Sequence, residues 1–130
     1  MNIAFIVNVF PSFSETFILN QITGLIDLGH NIHIYSRNRA IDNRYHNEVS
    51  NYQLLNKTTF LDIPKDRKIR LKCAMNIVAH NILANPSSIL KCLNIKKYKS
   101  IYHIIDNLFY FNYFLNLQYD IIQAHFGPNG

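Results

Sequence analysis

Charge is scarce in this chain: of 130 residues only 16% are Asp, Glu, Lys or Arg, against 48% that are hydrophobic. So much apolar matter can bury a core, which excludes the disordered class. The length suits one domain rather than two. Cysteine is nearly absent. Cys73 and Cys92 have no CxxC partner and no histidine at metal spacing, so they read as reduced, partly buried thiols of a cytosolic protein, and no metal site is expected. The lack of any GxxxxGK[ST] loop or GxGxxG counts against P-loop and dinucleotide chemistry. No spanning run of about 20 apolar residues occurs; the greasiest stretch, 101–117, is broken by His103, Asp106, Asn107, Asn112 and Asn116. The apolar start, Ile3 to Val9, has no positive segment before it and no small-residue cleavage site after it, which makes it a strand rather than a signal peptide.

What is present is a mild basic excess and an alternation of strand and helix patterns. Thirteen Lys and Arg against eight Asp and Glu leave a formal charge of +5. That bias favours sugar phosphates, an anionic membrane or nucleic acid without choosing among them. Ile3 to Val9 has the continuous Ile/Val character of a strand covered on both faces. After Phe10-Pro11-Ser12-Phe13, the residues Phe17, Ile18, Ile22, Leu25 and Ile26 recur at helical spacing, and Gly29 stands where a left-handed cap belongs; the helix is expected over Glu15 to Leu28. Its start fits a capping box of Ser12 with Glu15, or an N-cap at Ser14 with a Phe13/Ile18 staple. A second strand is expected over Asn31 to Ser36, then a polar loop from Arg37 to Lys57 with at most a short helical turn, and a third strand over Thr58 to Ile63.

Asp66 to Asn85 places Ile69, Cys73, Ile77, His80 and Leu83 on one helix face. Pro86 interrupts that helix, and Ser87 and Ser88 suit the cap of a short one through Leu93. Ile101, Ile104, Ile105, Leu108, Phe111 and Leu115 define a long amphipathic helix within 98–118, and Asp120 to Phe126 is a fourth strand with a Gly-Pro exit turn. The fold class is therefore α/β: an open, mainly parallel sheet with helices on both faces, Rossmann-like. The chain stops where the next helix is due, so a truncated domain with a poorly protected sheet edge on its C-terminal side is expected.

In such sheets ligands sit outside the carboxyl ends of the strands, where the strand order reverses. Two segments meet that description, Phe10 to Thr16 (FPSFSET) and His125 to Gly130 (HFGPNG). The first ends at a helix N-terminus, where free N–H groups favour an anion and Ser12, Ser14 and Thr16 add hydroxyls, while the Glu15 carboxylate opposes one. A simple capped helix is the other reading. His125 ends a strand before a Gly-Pro turn, where an imidazole can donate a hydrogen bond or share a proton near neutral pH, or else close the strand on the backbone. His30, His33, His46, His80 and His103 read as structural or solvated, and Asp120 as solvated or turn-forming.

Together, FPSFSETFILNQITGLIDLGHNIHIYS at 10–36 and DIIQAHFGPNG at 120–130 resemble the opening half of family 4 glycosyltransferases, especially the bacterial exopolysaccharide, colanic-acid-type branch. The resemblance implies a GT-B enzyme that moves a sugar from a nucleotide-sugar donor to a polysaccharide or lipid-linked acceptor, retaining the anomeric configuration, with no metal or other cofactor. It further implies that 1–130 is the acceptor-side N-terminal domain, truncated and without the donor-gripping domain, and inactive alone. By the same resemblance His125 matches a catalytic-site histidine, and Ser12, Phe13, Ser14, Glu15, Thr16, Phe126 and Gly127 line the substrate. Many members carry a glycine pair in the first loop; Ser12-Phe13-Ser14 stands there instead, which shifts that loop from donor phosphate toward acceptor.

The basic and aromatic run from Lys91 to Tyr113, with Lys96, Lys97, Lys99, Tyr98, Tyr102 and Tyr110, suits peripheral contact with the inner face of a cell membrane, or is an ordinary helix with a solvated basic start. Nucleic acid is not expected, because the aromatic residues fall at core spacing. A non-catalytic flavodoxin-like or receiver-like module stays open as the alternative, although acidic residues after the first strand and a Ser/Thr/Gly-rich phosphate loop are both missing.

Overall fold

The computed structural model describes residues 1–41, 44–94, 100–114 and 118–125. They form two compact units: Met1–Asp62 with the segment from Gln118 onward, and Ile63–Leu117.

The first unit holds the sheet. Strands β1 (Asn2–Phe10), β2 (Asn31–Arg39), β3 (Thr58–Phe60) and β4 (Ile121–Ala124) are all parallel and lie in the order β3-β2-β1-β4. The fold class read from the sequence is thus observed, an α/β protein with an open parallel sheet. Ile3, Phe5 and Val7 of β1 and Ile32 and Ile34 of β2 point to one face, as the pleat requires. They close on Ile18, Leu19 and Ile22 of helix α1 (Thr16–Asp27). Ile34 is 0% exposed, and burial of a side chain of that size stabilises by roughly 1.5–3 kcal/mol. On the opposite face of β2, Tyr35 is also buried, its hydroxyl 2.9 Å from that of Tyr119.

Helix α1 ends as its sequence demands. Gly29 has φ of +83°, and the amides of Gly29 and His30 donate to the carbonyls of Ile26 and Leu25, the two bonds of a Schellman cap. Its start differs from expectation. Glu15, not Ser12 or Ser14, is the N-cap, and no side chain caps the helix; the two serine hydroxyls lie 3.2 Å from each other instead.

The polar segment after β2 is more ordered than its composition suggests. β2 continues past Ser36 to Arg39, and helix α2 (Asn47–Asn51) and a 3₁₀ turn (Leu54–Lys57) follow. Val49 and Leu54 anchor both in the core, a two-residue signal too sparse to show a period. β3 is shorter than the expected 58–63, because Asp62 adopts φ of +45°. Asp is among the few non-glycine residues that visit that region readily.

The second unit is helical: α3 (Arg67–Asn81), α4 (Pro86–Cys92) and α5 (Ile101–Phe114). Asp66 caps α3, its carboxylate accepting the amides of Lys68 and Ile69 at 2.9 and 3.0 Å. The buried face of α3 is Cys73, Ala74, Ile77 and Val78. Ile69 and Leu83, expected there, are 56% and 92% exposed, and His80 is exposed as well. Ala74 and Val78 continue the stripe at i+4 and turn it away from Ile69. Pro86 is the first residue of α4 with Asn85 as N-cap, so Ser87 and Ser88 lie inside the helix rather than before it. The amphipathic reading of α5 holds at Ile104, Ile105 and Leu108, which are buried with Phe109; Tyr98 and Leu115 fall outside the described residues. Among the described residues, no helix is long and apolar enough to cross a membrane.

Candidate functional site

The strand order places the candidate site. From β1 the chain steps outward to β2 and β3, and β4 returns on the other flank of β1. The order therefore reverses between β1 and β4, the position at which open α/β sheets bind ligands beyond their carboxyl ends. Phe10 to Thr16 leaves the end of β1 there, and His125 leaves the end of β4.

His125 is held by the ladder and by two rings. Ile6 pairs with Ala124, and the His125 amide donates to the Ile6 carbonyl at 2.9 Å, which carries the pairing one residue past β4. The pleat then turns the imidazole to the face of Phe5 and away from that of Ile6. It stacks on Phe5 with ring centroids 5.6 Å apart and planes 10° apart, and Phe17 in the first turn of α1 meets it edge-on at 6.1 Å. Partial burial holds its pKa below the usual 6.5, because the charged form loses hydration. At pH 7 the ring is neutral, with one N–H donor and one acceptor nitrogen.

The loop after β1 starts with a cis Phe10-Pro11 peptide. Phe13 is 62% exposed at its tip, and Ser14 and Thr16 are exposed too. His46, directly before α2, supports the tip: its Nε2–H donates to the Phe13 carbonyl at 3.1 Å, and its ring lies on that of Phe13 at 4.5 Å and 5°. Behind the loop, Phe10, Pro11, Ser12, Glu15, Leu19 and Val49 enclose a hollow of about 10 Å³, room for about one water and not for a sugar. Desolvation there raises the Glu15 pKa above 4.5. A substrate contact would therefore use the exposed outer side of the loop.

Ser12, Phe13, Ser14, Glu15 and Thr16 thus lie on the loop that opens α1, and the first turn of that helix touches His125 through Phe17. Phe126 and Gly127 fall outside the described residues. Three residues at this edge were not assigned to the site from the sequence. Phe17 counts as a core position by spacing, yet it is 52% exposed beside His125. His46 lies in a segment with no readable period. Arg39, placed in a loop by its polar neighbours, ends β2 with its guanidinium 3.8 Å from the Phe60 ring centroid. No group of three His, Cys, Asp or Glu side chains fit to hold a metal occurs among the described residues.

Asp120 is not merely solvated. Its carboxylate accepts the Asn2 amide at 2.7 Å while its own amide donates to the Asn2 carbonyl at 2.9 Å, which pins the residue just before β4 to the first of β1.

Over its whole length the chain is 31% identical to the "Putative colanic acid biosynthesis glycosyltransferase WcaL" of Salmonella typhimurium and 29% identical to the protein of the same name from Escherichia coli. It spans 32% of the length of each of these curated relatives. No protein-family model matches the chain, and no solved structure matches it. These 130 residues are homologous, end to end, to about a third of a glycosyltransferase of the colanic-acid type.

Proposed function

We propose that this chain is the acceptor-side, N-terminal part of a retaining, family 4, GT-B-type glycosyltransferase that moves a sugar from a nucleotide-sugar donor to a polysaccharide or lipid-linked acceptor. The observation that carries this reading is the reversal of strand order between β1 and β4, which puts His125 and the FPSFSET loop at one edge. In this reading the neutral imidazole of His125, fixed by Phe5 and Phe17, donates its N–H to, or accepts a proton from, a hydroxyl near the transferred sugar. Ser12, Phe13, Ser14, Glu15 and Thr16 position the acceptor, and Phe126 and Gly127 are assigned to substrate binding from the sequence resemblance. The donor-gripping glutamate pair of the family lies outside this chain, so these residues do not turn over alone. The reaction needs no bound metal and takes place in the cytoplasm at the inner face of the cell membrane, a reading that the basic and aromatic composition from Lys91 to Tyr113 supports.

The test is sugar transfer itself, measured on the chain together with whatever its reading frame encodes around it. A panel of radiolabelled nucleotide sugars is offered with saccharide and lipid-extract acceptors, with and without EDTA. Incorporation from at least one donor, undiminished by EDTA and with the donor's anomeric configuration kept in the product, is expected. Loss of transfer in EDTA, or inversion at the anomeric carbon, would contradict the mechanism.

A further inference from the structure

An exposed phenylalanine is by itself unremarkable on a protein surface. Phe13 differs in how it is held. The core beside it is closed by Phe10 and Ile18, which are 5% and 2% exposed, so the fold does not require a ring at position 13. His46 nevertheless fixes that ring at two points, through the parallel stack at 4.5 Å and the hydrogen bond to the Phe13 carbonyl at 3.1 Å. One face of the phenyl ring is covered by the imidazole, and with 62% of the residue exposed the remainder faces solvent. The result is a flat apolar surface whose orientation is set before anything binds, which lowers the ordering cost of binding.

The residues around it decide the ligand. Ser12 and Ser14 flank Phe13 with hydroxyls, and Glu15 follows with a carboxylate. A phosphate gains nothing from an aromatic face and is repelled by that carboxylate. A pyranose offers an apolar face of ring C–H groups and a rim of hydroxyls, and both are answered here. We propose that Phe13, backed by His46, is the stacking platform for a pyranose ring of the acceptor, with the exposed hydroxyl of Ser14 as a hydrogen-bonding partner at its edge. This rests on the acceptor-side reading above, and assigns His46 as a positioning residue for the platform. Phe17, 52% exposed four residues further on and in contact with His125, carries the aromatic surface toward the histidine.

Two measurements test the platform. In the first, the 130-residue chain with labelled phenylalanine and histidine is titrated with methyl glycosides of glucose, galactose, mannose and N-acetylglucosamine, and with uridine, and followed by aromatic NMR. At least one glycoside should shift the Phe13 and His46 ring signals saturably; Phe13→Ala should abolish the response at His46, and Phe13→Tyr should keep it. No glycoside response at Phe13, a response to uridine only, or an unchanged His46 response in Phe13→Ala would each overturn the proposal. In the second, the transfer assay, Phe13→Ala should raise the acceptor KM roughly five- to tenfold, the scale of one lost aromatic contact, with the donor KM and kcat within about twofold. An unchanged acceptor KM in an active enzyme overturns the platform alone. Saturable glycoside binding at Phe13 in a protein that transfers no sugar supports the platform and overturns the transferase reading.

Discussion

At the scale of single residues, burial acts on the charge of two histidines, His33 and His125. His33 on β2 lies with Nε2 2.8 Å from the Thr59 hydroxyl, and burial, then the charge of Lys57, hold its pKa below 6.5. His125 is held low by burial as well. In the unfolded chain both titrate near 6.5. As pH falls below that value the unfolded state takes up protons that the folded state refuses, so this contribution to stability is complete above about pH 6.5 and is lost on acidification toward the folded pKa. The urea midpoint should therefore fall between pH 7.5 and pH 5.5, and fall less steeply in His33→Gln. Equal pH dependence in the two proteins would remove His33 from this explanation. In sequence, a histidine in a strand looks the same whether its partner is water or, as for His33, a threonine on the neighbouring strand.

At the scale of elements, one short strand has the largest consequence. β4 pairs over only four residues, and Ile121 and Ile122 are 41% and 54% exposed, so hydrophobic burial does little to fix its register. The reciprocal bonds between Asn2 and Asp120 do that instead. A slip of one residue would send the His125 imidazole to the opposite face of the sheet, away from Phe5 and Phe17. Asp120→Ala should accordingly speed hydrogen exchange of the His125 amide by roughly two- to tenfold, the worth of a single net hydrogen bond. Amides in the middle of β2 should be unaffected. Faster exchange throughout the sheet would mean that Asp120 supports the fold rather than the register. The strands and α1 were legible because their signals are local: an Ile/Val run, a helical repeat and a glycine cap. The N-terminal cap of α1, the reach of β2 and the buried face of α3 were not, since none of them is decided by the local pattern alone. The Ser12 and Ser14 hydroxyls meet each other instead of the helix; Arg39 finds Phe60; Val78, not Ile69, meets the core.

At the scale of the molecule, the first unit brings together what the sequence keeps at its two ends. Phe10 to Thr16 and His125 are separated by the whole helical unit in the chain, and a parallel pairing of β4 with β1 makes them neighbours. The idea that these two segments share a site was available from the alternation of strands and helices together with the rule for switch points. Its furnishing was not: Phe5 beneath the imidazole, Phe17 at its edge and His46 behind Phe13 are contacts of the folded state. Over its whole length the chain is similar to about a third of two proteins named as putative colanic acid biosynthesis glycosyltransferases. The most direct measurement is the rate of sugar transfer by the chain within its complete reading frame, wild type against His125→Ala, with thermal unfolding recorded on the same samples. The expected result is a fall of roughly 100-fold or more, the scale for removing a positioned donor or proton-sharing group, with a melting temperature within a few degrees of wild type. Transfer at the wild-type rate in a folded His125→Ala protein would contradict the placing of the reaction at the meeting of β1 and β4.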